Sequence, residues 1–175
     1  IMTNKILINK LGKTPLVIAE VGQNHQGSLK IAKDYVREFS KSGADIIKFQ
    51  ARDNRKLFSK GAYNKNYDSE NSFGRTYGQH REKLELSYKD LKELKKECKK
   101  KNLFFMVTPF DENSLKLVSK LNVDIIKIAS FDLGNLPFIN LISKQKKTVA
   151  ISTGGGNSKE IEESIKLLLN KKNKI

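Results

Sequence analysis

A single cysteine, Cys98, stands in this 175-residue chain, so an internal disulfide, and with it a disulfide-stapled fold, is excluded. Long apolar runs are missing as well: no stretch approaches the roughly 18 residues of a membrane-spanning helix. The opening residues, IMTNKILINK, hold no apolar segment of the about 7–15 residues that a secretory leader carries. These absences lead to an expected reducing, cytoplasmic setting with no membrane partner. Histidine is scarce. His25 and His80 are the only two, without the paired spacing of a metal site, so neither is assigned as a metal ligand. Acidic side chains are also few, 19 against 34 Lys and Arg, which leaves a net charge of +15.

With 38% hydrophobic and 30% charged residues, the composition is that of a globular protein with one core. A basic excess of this size can draw nucleic acid through salt-dependent attraction to phosphate. Here the lysines are spread over helical surfaces (Lys89, Lys92, Lys95, Lys96 and Lys99 to Lys101) and the tail (Lys171, Lys172, Lys174), and no nucleic-acid motif accompanies them. They read as solvated helix faces, and no nucleic-acid partner is expected.

The stretch VDIIKIASFD (123–132) organises the rest. Val123, Ile125, Ile126 and Ile128 form a short, near-continuous apolar run, the signature of a central strand in a parallel sheet. Lys127 lies inside it. A lysine there needs either a neighbouring acid, as an ordinary structural pair, or an anionic ligand.

Taken in order, Ile6 to Ile8 and Leu11-Gly12 suggest a short strand or hairpin, and PLVIAEVG (15–22) a strand ending at Glu20. A turn at 22–27 leads to Ser28 as N-cap of a helix with Leu29, Ile31, Ala32, Tyr35, Val36 and Phe39 at helical spacing, closed by Ser42-Gly43. ADIIKFQ (44–50) is the second strand. Residues 51–79 lack periodicity and read as a long functional or mobile insertion. A helix from about Tyr77 to Lys100, interrupted at Ser87, precedes a third strand at 103–107. A helix at 113–121 leads into the organising strand. A helix at 136–143, a strand at 148–151 and a last helix capped by Ser158 follow, with Ile161, Ile165, Leu168 and Leu169 on one face.

Five strand–helix alternations predict parallel βαβ units. Near each strand's end sits a polar group: Glu20, then Lys48 and Gln50, Thr108, Lys127 and Ser130, and Ser152 before Gly154 to Gly156. Parallel α/β sheets bind ligands at the carboxyl ends of their strands. Two lysines, hydroxyls and a glycine-rich turn at a helix N-terminus suit a phosphate or carboxylate. Any one of them alone would be an ordinary βα turn.

IAEVGQNHQGS (18–28), ADIIKFQ (44–50), REKLELS (81–87), VTPFD (107–111), VDIIKIAS (123–130) and ISTGG (151–155), in this order, resemble the sialic acid synthase family. The resemblance covers nearly the whole chain from Pro15 onward and implies a (β/α)8 TIM barrel followed by an antifreeze-like domain. It further implies a transferase that joins C3 of phosphoenolpyruvate to the open-chain aldehyde of an N-acyl-mannosamine-type sugar. Water adds at C2, and phosphate leaves by C–O cleavage. Lys48, Thr108, Lys127, Ser130 and Ser152 would cradle phosphoenolpyruvate, Glu20 would contact the sugar, and Gln50 would line the pocket. Asn24 and His25 lie in the family's N-H-x-G turn, with His25 shaping that loop or touching substrate; His80 is expected to be solvated. A divalent metal, Mn or Mg, is expected for the full-length enzyme, with ligands outside this chain, and a homodimer when full length.

The sequence departs from the pattern at Asp132, where the family usually has a glutamate proposed to transfer a proton; catalytic roles are expected for Glu20, Lys48, Lys127 and Asp132. An eight-stranded barrel takes about 250 residues. Residues 1–175 are therefore expected to be its first five βα units, without the later strands or the antifreeze-like domain. Such a fragment is expected to be inactive alone and, with open strand edges, to aggregate or pair. Two alternatives remain: a Schiff-base aldolase working through Lys48 or Lys127, and a non-catalytic phospho-ligand or nucleic-acid binder.

Overall fold

Runs rich in β-branched and aromatic residues become parallel strands, the conformation in which such side chains pack best. The computed structural model describes residues 14–175. The expected N-terminal strand or hairpin at Ile6–Ile8 and Leu11–Gly12 lies outside them. Among the described residues the strands are β1 (Ile18–Gly22), β2 (Ile46–Ala51), β3 (Phe104–Pro109), β4 (Ile125–Ile128) and β5 (Thr148–Ile151). They lie side by side in chain order, every neighbouring pair parallel. With helices on one face, this is a partial α/β barrel.

The helices are α1 (Leu29–Lys41), α2 (Asn54–Leu57), α3 (Lys60–Asn64), α4 (Tyr77–Lys83), α5 (Tyr88–Lys100), α6 (Glu112–Leu121), α7 (Leu136–Ser143) and α8 (Ser158–Asn170). Their starts are chemically specified. Ser28 Oγ accepts from Ile31 N at the head of α1, and reciprocal capping boxes join Ser87 with Asp90, Asp111 with Ser114 and Asn157 with Glu160.

Strand alternation divides the apolar residues between two sides. Toward the helices, Ile47, Phe49, Phe105, Val107, Ile126 and Ile128 join Val36, Leu91, Leu94, Cys98, Val118 and Ile139 in the main core. On the inner face, Ile46, Phe104, Met106 and Ile125 form a second cluster with Leu16 and Ala150. The inner cluster is the floor beneath the polar groups at the strand ends.

Several sequence expectations change. The insertion at 51–79 contains α2, α3 and an antiparallel bridge, Asn66 to Thr76. These elements are too short to show a 3.6-residue period. The interruption expected at Ser87 is present: α4 ends at Lys83, and Ser87 starts α5 as its N-cap. Asn157, not Ser158, caps α8; Leu169 is exposed, and Ser164 takes its place on the buried face. His80 is buried rather than solvated. The rings of Tyr67, Phe73 and Tyr77 surround it, and its Nδ1 accepts from Phe73 N at 3.2 Å. Lys95 does not simply face solvent; its Nζ donates to the carbonyls of Leu121 and Asn122 and satisfies the end of α6. Past α8, the tail returns beside β5, with Lys174 bridged in parallel to Thr148.

Candidate active site

β2 places Ile46, Lys48 and Gln50 on the inner face, and β3 places Phe104, Met106 and Thr108 there. Met106 pairs with Ile125 and Val107 with Ile126, so continuing that register sets Thr108 beside Lys127. On the other flank Glu20 is the register partner of Lys48. The polar row on this face is staggered: Glu20 and Lys48 are level with Met106, and Gln50, Thr108 and Lys127 stand one step further up their strands, with Ser152 just past β5.

The two ammonium groups carry the electrostatics. Lys48 is largely buried and forms an ion pair with Glu20 Oε2, whose side chain is 44% exposed. Burial is the main force pulling the Lys48 pKa down to about 8, and the charges of Lys127 and Arg52 add to it. Lys127 donates to Ser152 Oγ at 2.5 Å and to the Ile128 carbonyl at 2.6 Å. Burial holds its pKa below the usual lysine value. On the strand between theirs, Thr108 Oγ1 is buried and has no hydrogen-bond partner among the described residues, an orphan that a bound oxyanion would satisfy.

The remaining sequence-derived residues are placed differently. Ser130 is exposed at the start of a short 3-10 turn after β4, near the β5 turn: a Cβ on Gly154 would stand 3.9 Å from Ser130 Cβ. Asp132 closes that turn and is buried, with Oδ1 accepting from Asn135 Nδ2 at 3.1 Å and Oδ2 without a partner among the described residues. Burial raises its pKa above the usual carboxylate value, and the Asn135 hydrogen bond opposes the rise. Asn24 is exposed in the first βα turn. His25 is buried there, accepts from Gly27 N at its Nδ1 (3.0 Å) and packs toward Phe49, a residue of the helix-side core. Its contacts shape the loop.

The structure adds residues that sequence reasoning missed. Arg52 reaches back over Gln50, and its Nη2 donates to Gln50 Oε1 at 2.5 Å. Its guanidinium lies 3.9 Å from the Phe110 ring centroid, and Phe110 stacks on the exposed Phe131. Glu85 accepts from Arg52 N at 3.1 Å, Arg52 Nη1 at 3.4 Å and Gln23 Nε2 at 3.0 Å. Arg52 continues the Lys48, Gln50 alternation and was findable from it. Glu85 carries no signal of its own beyond membership of the REKLELS motif.

A divalent cation fits this face poorly. Among the described residues no three or more His, Cys, Asp or Glu side chains cluster to hold one, and the row is led by two ammonium groups. Among the described residues no helix is long and apolar enough to cross a membrane.

Comparison with known proteins places the chain among relatives. The chain is 36% identical over 167 residues to an N-acetylneuraminate-9-phosphate synthase of Drosophila melanogaster, covering 95% of the chain and 45% of that protein. It is 39% identical over 157 residues to an N,N'-diacetyllegionaminic acid synthase of Campylobacter jejuni, covering 89% and 47%. The crystal structure of a sialic acid synthetase from Leptospira borgpetersenii, in complex with citrate, superposes with a TM-score of 0.76 at 29% identity, over 94% of this chain and 55% of that one. A truncated 3-deoxy-D-arabino-heptulosonate 7-phosphate synthase from Thermotoga maritima, TM-score 0.62 at 16% identity, shares the fold. The chain spans about half the length of the curated relatives it matches. The NeuB family model matches residues 35–175. That match covers most of the chain, and the chain belongs to the NeuB family.

Proposed function

We propose that this chain supplies the phosphoenolpyruvate-binding part of a nonulosonic acid synthase. The enzyme would join C3 of phosphoenolpyruvate to the aldehyde of an N-acyl-mannosamine-type sugar and release phosphate by C–O cleavage at C2. One observation carries the reading: Thr108, its buried hydroxyl unpartnered among the described residues, has Lys127 beside it and Lys48 one step diagonally below on the same face. Two cations and an orphan donor suit a ligand with a phosphate and a carboxylate. Ser130 and Ser152 add hydroxyls at the rim. Glu20 stands at the exposed end of the row, where the sugar would approach, with Gln50 lining the pocket and Asn24 and His25 forming the turn beside it. Asp132, its pKa raised by burial, is suited to proton transfer.

Residues 1–175 form the first five βα units in this reading, and the later strands and a second domain complete a dimeric enzyme. The metal expected for that enzyme would be held outside this chain. The test is a titration of the 175-residue chain with phosphoenolpyruvate, paired with an assay for phosphate release in the presence of N-acetylmannosamine. Saturable binding without release is expected. No binding sinks the phosphoenolpyruvate reading, and release from the chain alone sinks its dependence on further strands.

The lowered Lys48 pKa favours one second reading, a Schiff-base aldolase, since a lysine near pKa 8 is neutral often enough to attack a carbonyl. Borohydride trapping of a pyruvate adduct on Lys48 would select it.

A further inference from the structure

We propose that Glu85 is a positioning residue that, through Arg52, fixes the Gln50 side chain so that its NH2 group and not its carbonyl is offered to the ligand. A primary amide has one accepting and one donating end. The Gln50 oxygen is taken by Arg52 Nη2 at 2.5 Å. Turning the amide over would set NH2 against a guanidinium, donor against donor, so the orientation is decided by chemistry. The nitrogen end faces the strand-end row: a Cβ on Gly22 would lie 3.9 Å from Gln50 Nε2 and 3.4 Å from Glu20 Oε1. Gln50 thereby adds a neutral donor beside the two lysines, matching an oxygen-rich ligand.

Arg52 can hold that amide only if it is held itself. Its side chain is 9% exposed, a position where an unpaired guanidinium is costly. Glu85 answers the charge with one carboxylate oxygen and grips the Arg52 backbone with the other. The oxygen that meets Arg52 Nη1 also accepts from Gln23 Nε2, tying the first βα turn to the same point. Phe110 covers the guanidinium face at 3.9 Å, a cation–π contact that limits its remaining freedom. Glu85 itself touches neither Lys48 nor Lys127 in any hydrogen bond or ion pair among the described residues, so its influence runs through Arg52. Burial raises its pKa while Arg52 opposes the rise, so acidification loosens the clamp.

The nature of the ligand rests on the phosphoenolpyruvate reading; the orientation of the amide does not, and the experiment separates them. Side-chain amide NMR of the ligand-free 175-residue chain reports the mobility of the Gln50 NH2 group. In the wild type it should be as rigid as the sheet. In Glu85→Gln and in Arg52→Lys, which keeps the charge but loses the fork, it should become as mobile as an exposed glutamine while the strand amides stay unchanged. Glu85→Asp should restore part of the rigidity. If Glu85→Gln does not fold, Arg52→Lys carries the same readout. A Gln50 amide equally rigid in the folded variants overturns the proposal. Phosphoenolpyruvate titration then reads the consequence: affinity about tenfold weaker in Arg52→Lys, with no further loss when Gln50→Ala is added. Additive losses from the two substitutions also overturn it. Absence of any wild-type binding rejects the phosphoenolpyruvate reading alone, since the amide mobility decides the positioning role.

Discussion

Lys127 reaches from β4 to β5 and donates to Ser152 Oγ at 2.5 Å. Its other acceptor is the Ile128 carbonyl, so both hydrogen-bond partners are neutral oxygens. This differs from Lys48, which meets the carboxylate of Glu20. A half-buried ammonium satisfied by neutral oxygens retains its full charge for a ligand.

Lys127→Met should therefore weaken phosphoenolpyruvate binding by about 10–100-fold, the worth of a charge-assisted hydrogen bond of roughly 1.5–3 kcal/mol. Ser152→Ala should cost about tenfold at most, because it removes a neutral hydroxyl and leaves the ammonium in place. Calorimetric titration of both variants checks the order. Equal losses would mean that Ser152, and not the lysine charge, makes the contact.

Lys48 sets a pH dependence whose sign can be worked out. Its folded pKa of about 8 lies below the ordinary lysine value. Above pH 8 the free protein loses the proton while the unfolded chain still holds it, so the cost of burying this charge is present in full below pH 8 and fades as the pH rises toward 10.5. Anion binding runs the other way, since it needs the ammonium. Affinity for phosphoenolpyruvate should fall as pH rises through about 8, and the bound anion should raise the Lys48 pKa. Isotope-edited NMR of lysine ε-carbons, with and without ligand, measures both effects, and Lys48→Met should remove this step from the binding profile.

Gly27 tests how the first βα turn is built. Its φ is +74°, and a Cβ there would lie 2.0 Å from the Lys83 carbonyl oxygen, a backbone atom that cannot swing aside. Left-handed strain and overpacking together suggest a loss of about 2–4 kcal/mol for Gly27→Ala. For a chain of this size that is a fall of roughly 5–15 °C in Tm. Thermal denaturation followed by circular dichroism gives the answer; a change under 2 °C, about 0.5–1 kcal/mol, would show that the α4–α5 junction yields.

The parts legible in the sequence were those with a repeating signal. Five apolar runs, each with a polar group near its end, foretold parallel strands carrying Glu20, Lys48, Gln50, Thr108 and Lys127; that these share one face follows from the register the strands adopt, since alternation along a strand is fixed by its geometry. Contacts made between distant segments left no such mark. Glu85 and Arg52 are 33 positions apart, and nothing local distinguishes Glu85 from the other acids of a charged helical stretch. His80 looked like a surface residue for the same reason: the rings that bury it come partly from Tyr67 and Phe73, within a segment without periodicity.

Cys98 offers a probe of the core that leaves the site untouched. It faces inward from α5 among Leu91, Leu94 and Phe105, fully buried, and burial pushes its thiol pKa up to about 12. The thiolate is the reactive form, so both access and ionisation hold it inert. Ellman's reagent at pH 8 should leave the folded chain unmodified over minutes and react fully in 6 M guanidinium chloride. The rate at intermediate denaturant then follows the population of opened molecules. Labelling as fast as that of an exposed thiol in buffer would mean that α5 does not stay packed on the sheet. Such a result would show that residues 1–175 need further chain to hold this face closed.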